Sequence, residues 1–232
     1  MDVTTTAMIR PELLERTYES FSKGLKGLNF KESTLFLNVD PAPKGRDPNT
    51  VVKVAKKFFG EVVVRIPNEC NFCKAVQWCF KNARGKYFFH LEDDWILLES
   101  VDIQDVINTL DTQNRTARHR KYVSIALRAY RGWSENIALA PSVFYTKFAN
   151  RVAPLFNTDL NPEEQLRDAF HVGIKIVEHD EYSLRYPHLK MKRKIVRDIG
   201  RKWQRVHGIT GNTRTGRKLR LFNRWHTLRT KQ

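Results

Sequence analysis

Apolar residues fall in short blocks along the first hundred positions, and the spacing inside each block assigns its element. Val3 to Ile9 has strand length. Pro11 then opens a segment through about Phe21 in which Leu13, Leu14, Tyr18 and Phe21 recur at helical spacing, which predicts an amphipathic helix. Thr34 to Val39 reads as a second buried strand ending at Asp40, and the loop PAPKGRDPNT that follows is dense in turn residues. Thr50 to Phe59 predicts a second helix, Glu61 to Ile66 a third strand, and Asn71 to Asn82 a third helix. Gly85 breaks that helix, and Lys86 to Leu91 is a fourth strand. Four such alternations predict an α/β fold with a mostly parallel sheet and helices on both faces. Ligands of such sheets collect at the carboxyl ends of the strands, where Thr5, Asp40 and the acids Glu92, Asp93 and Asp94 are expected to arrive.

The stretch KYFFHLEDDWIL, Lys86 to Leu97, carries the clearest chemistry, because an aromatic strand runs straight into three consecutive carboxylates. Alternation along an extended chain would put Glu92 and Asp94 on one side and Asp93 on the other. Three clustered acids repel one another and favour a hard divalent cation, Mg²⁺ or Mn²⁺, that also bridges a diphosphate. The alternative is a strand end whose acids are solvated or paired with Arg and Lys.

At 232 residues with 41% apolar content, the chain is long enough to bury a sizeable core. It contains no apolar run of 18 or more residues, and its first twenty residues lack the layout of a signal peptide, so a cytosolic location is expected. Cys70, Cys73 and Cys79 lie close together without a matching pair at zinc spacing, which argues for reduced thiols, with Cys79 buried on the third helix.

The net charge of +16 is unevenly placed: residues 185–232 hold sixteen Lys or Arg and one acid, Asp198, which is +15, and the first 184 residues carry about +1. Trp203, Phe222 and Trp225 are interleaved with Arg193, Lys194, Arg201, Lys202, Arg205, Arg217, Lys218 and Arg220. Cations among aromatics suit a nucleic acid, through phosphate contacts and base stacking. They also suit an anionic membrane surface, or a helical extension that packs its aromatics on the domain and shows its cations to water.

Taken in order, TTTAMIRPELLERTYESF, TLFLNVDPAP and EVVVRIPNECNFCKAVQWCFKNARGKYFFHLEDDW resemble the nucleotide-binding half of GT-A glycosyltransferases of the family-2-like group. The resemblance covers residues 3–98 well and 120–184 more loosely. It implies a GT-A-like, Rossmann-like domain over residues 1–184 and does not reach residues 185–232, which their charge sets apart as a basic helical C-terminal extension. It further implies that Thr5, Thr6 and Arg10 line the donor nucleotide site, that Asp40 contacts the nucleoside, and that Lys74 faces the diphosphate. Glu92-Asp93-Asp94 aligns with the D-x-D motif, which makes Asp94 and Glu92 metal ligands and leaves Asp93 beside the donor. Glu stands at position 92 where the family more often has Asp. In DLNPEEQLRDAF, Asn161, Pro162, Glu163 and Glu164 explain a helix start on their own. The resemblance adds that Glu164, or Glu163, is the general base on the acceptor hydroxyl. His179 is a candidate late metal ligand or a structural histidine.

The activity implied is transfer of a sugar from a nucleoside-diphosphate sugar, UDP-linked by preference, to a hydroxyl acceptor, with Mn²⁺ or Mg²⁺. The basic stretch points to a polyanionic acceptor. A hydroxymethylated base in DNA fits it, in the manner of phage DNA-modifying glycosyltransferases, and would place the protein in the host cytoplasm; flipping of the base would bring the hydroxyl to the donor. A lipid-linked or lipopolysaccharide glycan at the membrane surface is the second expectation. A non-catalytic nucleic-acid-binding protein is the third.

Overall fold

The computed structural model describes residues 1–116, 123–127, 139–168, 195–201 and 203. Its elements in chain order are β1 (Asp2–Met8), α1 (Pro11–Gly24), β2 (Leu25–Lys26), β3 (Thr34–Asp40), α2 (Asn49–Phe58) and β4 (Glu61–Arg65). There follow α3 (Phe72–Asn82), β5 (Tyr87–His90), β6 (Trp95–Leu97), β7 (Val101–Asp102), α4 (Ile103–Thr116) and β8 (Ser124–Ala126). The last are β9 (Ser142–Tyr145), α5 (Thr146–Val152), α6 (Pro162–Asp168) and β10 (Val196–Asp198). The elements read from periodicity are present, each with bounds within about three residues of those expected.

Six strands form the main sheet in the order β4-β3-β1-β5-β9-β8. β1, β3, β4 and β5 run parallel, while β9 is antiparallel to both β5 and β8. The chain moves outward from β1 to β3 and β4, then returns to add β5 on the other side of β1. The connections leaving β1 and β5 therefore diverge, and the crevice between them is the switch point at which open α/β sheets bind ligands.

Alternation along the strands divides the core between the two faces of the sheet. Leu35, Leu37, Phe89 and Val143 pack with Leu14, Tyr18 and Phe21 of α1, Val51 and Ala55 of α2, and Leu110 of α4. Phe88 and Phe144 point the other way, into a layer with Phe72, Val76 and Phe80 of α3 and Phe148 of α5. Cys79 is fully buried in α3, and all three cysteines are free. This is the α/β, GT-A-like fold expected, a mostly parallel sheet flanked by helices.

Two expectations are corrected. Thr5 does not arrive at a strand end: it lies in the middle of β1 opposite Leu37 and is fully buried. The alternation expected across Glu92, Asp93 and Asp94 does not hold either, because β5 stops at His90 and Asp93 and Asp94 form a turn. Extended-chain periodicity ends where the strand does.

β6 leaves this turn and pairs in antiparallel fashion with β10, placing Asp198 opposite Trp95. Among the described residues, no helix is long and apolar enough to cross a membrane.

Candidate active site

The turn after β5 and the segment after β1 meet at the switch point and are tied together by charge. Arg10 directly precedes Pro11 at the start of α1, so its backbone direction is fixed by the strand on one side and the helix on the other. Its side chain is 2% exposed, and a guanidinium that deep requires carboxylate partners. Asp93 supplies them: Arg10 Nε donates to Asp93 Oδ2 at 3.0 Å, and Arg10 Nη2 bonds Asp93 Oδ1 closely. The Met8 amide adds a third bond to Asp93 Oδ2 at 3.0 Å, and Thr17 Oγ1 donates to the Asp93 carbonyl at 2.9 Å. Burial pushes the Asp93 carboxyl up from its ordinary range. Arg10 and the Met8 amide pull it back, and Asp94 pushes it up again.

Arg10 and Asp93, both expected at the donor site, are paired with each other. Their pair is the clamp that fixes the acidic turn to β1. Asp94 lies at the edge of the same clamp, with Oδ2 at 3.4 Å from Arg10 Nη2. Glu92 Oε2 accepts from Trp95 Nε1 at 2.9 Å. Charge, rather than strand alternation, decides which acid is structural.

Asp40 ends β3 beside Met8 and is 7% exposed. Asn38 Nδ2 donates to its Oδ1 at 2.9 Å, and Arg65 Nη1 donates in turn to Asn38 Oδ1 at 2.8 Å. Burial raises the Asp40 carboxyl to about 6, against the pull of Asn38, Arg65 and the Asn71 amide. Because the folded value lies above the ordinary 3.8, the contribution of Asp40 to stability is complete below 3.8 and is lost as pH rises through about 6. Ligand binding has the opposite sign if Asp40 accepts from a nucleoside hydroxyl or N–H, since that role needs the ionised form. Nucleotide affinity should fall by up to about tenfold per pH unit below 6 in wild type. A titration of nucleotide binding from pH 5 to 8 should show this fall, and Asp40→Asn should flatten it.

The remaining candidates are spread around this centre. Thr6 lies opposite Asn38 in the β1–β3 register and is buried. Lys74, in the first turn of α3, is bonded through Nζ to Glu69 Oε1 at 2.9 Å. Glu163 Oε1 accepts from the Leu139 amide at 3.2 Å, whereas Glu164 carries no hydrogen bond or ion pair among the described residues and is half-buried. Asn71, the cap of α3, donates to the Thr158 carbonyl at 3.0 Å, which brings the segment leading into α6 against the start of α3. Arg201 is exposed and pairs with Asp198 at 3.2 Å. His179, Arg193, Lys194, Lys202, Arg205, Arg217, Lys218 and Arg220 lie outside the described residues.

No group of three or more His, Cys, Asp or Glu side chains is gathered for a metal among the described residues. The donor chemistry of Glu92 and Asp94 still fits Mg²⁺ or Mn²⁺. These ions keep several waters and are held by one or two carboxylates plus phosphate oxygens, not by a full protein cage.

Sequence reasoning did not find Asn38, Arg65, Gly200 or the part Trp203 plays. Asn38 and Arg65 are direct neighbours in the β3–β4 register, and both strands turn polar at that same level, which was the available signal. Trp203 was read as one aromatic of the basic stretch, with packing on the domain as one of its three uses, and not as a neighbour of Arg10.

No family model matches the chain, and no curated protein matches it. Among solved structures it is similar to a mannosyltransferase of Pyrobaculum calidifontis, PcManGT, in complex with GDP-Man and Mn²⁺. That match has a TM-score of 0.52 at 12% identity and covers 81% of this chain and 55% of the other. TarS 1-349 of S. aureus follows with a TM-score of 0.48 at 12% identity, over 72% of this chain and 54% of the other. This chain therefore spans about half the length of both solved chains. What it shares with the mannosyltransferase is the fold.

Proposed function

We propose that the chain is a glycosyltransferase that takes its donor, a nucleoside-diphosphate sugar, at the β1–β5 switch point. The observation that carries this reading is the convergence of Asp40 and the clamped Glu92–Asp94 turn on the carboxyl ends of β3 and β5 within a GT-A-like sheet. The likeness to a mannosyltransferase complexed with GDP-Man and Mn²⁺ supports it.

In this reading Asp40 accepts a hydrogen bond from the nucleoside, with Asn38 and Arg65 holding its carboxylate in place. Glu92 and Asp94 would hold a divalent cation, which when bound offsets the charge of the leaving diphosphate. Arg10 and Asp93 keep the turn rigid, so its geometry needs no rearrangement as charge develops. Glu164 takes the proton of the acceptor hydroxyl as the new bond to the anomeric carbon forms, and the diphosphate departs with the electron pair of the broken bond.

The acceptor we infer is a hydroxymethylated base in DNA, because the +15 stretch of residues 185–232 passes through Trp203 next to this turn. With UDP-sugars and GDP-sugars in Mn²⁺, diphosphate release should rise when hydroxymethylated duplex is added. Retention on that duplex should weaken by roughly 10³-fold between 50 and 200 mM salt if six or more phosphates are contacted. Release indifferent to DNA, with a flat salt response, would move the acceptor to a glycan at an anionic membrane. DNA retention without release of any donor would leave a binding protein.

A further inference from the structure

In the described part of the basic stretch Ile195, Val196, Ile199 and Trp203 are turned inward onto the domain, while Arg197 and Arg201 stay exposed. β10 pairs with β6, the strand that leaves the acidic turn, and the Ile199 amide donates to the Asp94 carbonyl at 2.8 Å. Asp198 Oδ1 accepts from the amides of Gly200 at 2.9 Å and Arg201 at 3.3 Å, which caps a new helical turn and directs its backbone at Asp94. A Cβ added to Gly200 would lie 2.0 Å from Asp94 Oδ2 and 2.8 Å from Asp94 Cβ, so bare backbone rests on that side chain.

One turn later Trp203 is 7% exposed and packs on Leu13 and Ile199. Its Nε1 donates to Glu12 Oε1 at 2.6 Å. Its ring lies 5.6 Å from Arg10 Cζ and 5.4 Å from Arg46 Cζ, and Arg46 Nη1 reaches Glu12 Oε1 at 3.4 Å. Arg10 is thus held by carboxylates through its N–H groups and by the indole ring.

We propose that Trp203 and Gly200 are positioning residues for the donor site: they clasp Arg10 and Asp94 from outside, so the acidic turn keeps its working geometry only while the start of the basic stretch is docked on it. The proposal rests on the donor reading above. It goes beyond that reading in joining the donor site physically to the segment that leads into the cationic tail. Trp203→Leu keeps apolar packing and removes the ring and its N–H. Trp203→Phe keeps a ring over Arg10 and loses the bond to Glu12. Gly200→Ala sets a methyl against Asp94.

The test uses the full chain, with hydrogen exchange followed by mass spectrometry and with UDP and GDP titrated in Mn²⁺. Trp203→Leu should speed exchange about tenfold in peptides covering residues 6–13 and 195–201, leave residues 34–40 unchanged, and weaken nucleotide binding about tenfold. Trp203→Phe should recover most of both effects. Gly200→Ala should weaken nucleotide binding with little change in residues 34–40, which keeps the proposal testable if Trp203→Leu does not fold. Unchanged exchange at the turn, uniform acceleration across all strands, or variants that bind as wild type does would overturn the proposal alone. If the wild-type protein binds neither nucleotide in Mn²⁺, the donor reading falls and takes the proposal with it, even where the exchange pattern is as expected.

Discussion

Arg10→Met should lower the unfolding free energy by about 3–5 kcal/mol, because it leaves Asp93 buried without its cation. The side chain of Asp93 is 4% exposed, and Arg10 is its cationic partner among the described residues, alongside the Met8 amide. Water cannot replace the lost guanidinium without opening the turn. Methionine fills much of the arginine stem volume, so the loss reports charge rather than a cavity. Asp93→Asn in the Arg10→Met background should recover a large part of it, since a neutral amide no longer needs a cation. Urea unfolding of wild type, the two single variants and the double variant gives the coupling directly. A double variant no more stable than Arg10→Met would show that the pair is not the fastening of the turn.

The fold was legible in the sequence and the division of labour at the site was not, for physical reasons. β3, β4 and β5 carry short apolar runs, β1 combines apolar residues with three threonines, and α1 and α3 show helical spacing, so burial left its mark in the periodicity. α4 went unread, although its buried Ile103, Val106 and Leu110 follow the three- to four-residue period of a helix. The antiparallel strand β9, between β5 and β8, and the β6–β10 pair depend on contacts between residues far apart in the chain, which local pattern does not encode. The same limit explains why the pairing of Asp93 with Arg10 was not read from the sequence. Only the arrival of Arg10 from β1, more than eighty residues earlier, makes Asp93 the anchor and leaves Asp94 at its edge. Trp203 is the converse case: composition left it open between a polyanion, a membrane surface and packing on the domain, and the structure places it on Leu13, Glu12 and Arg10.

Asp94→Asn should cut donor turnover by about 10²-fold or more while changing stability by no more than about 1 kcal/mol. The substitution keeps shape, and the Arg10 contact it weakens is long, at 3.4 Å. Under the proposed function it would remove one of two oxygen ligands through which a divalent cation would neutralise the leaving diphosphate. Glu92→Gln should act in the same direction with a smaller effect, because its carboxylate also serves Trp95 Nε1.

The central claim, a metal-dependent nucleoside-diphosphate site at the Glu92–Asp94 turn, is tested most directly by calorimetric titration of UDP and GDP into wild type and Asp94→Asn, each in Mn²⁺ and in EDTA. The account predicts that wild type binds one of the two nucleotides only with Mn²⁺ and that Asp94→Asn binds it at least about tenfold more weakly. Binding that is indifferent to metal, or equal in the two proteins, or absent for both nucleotides, would contradict it.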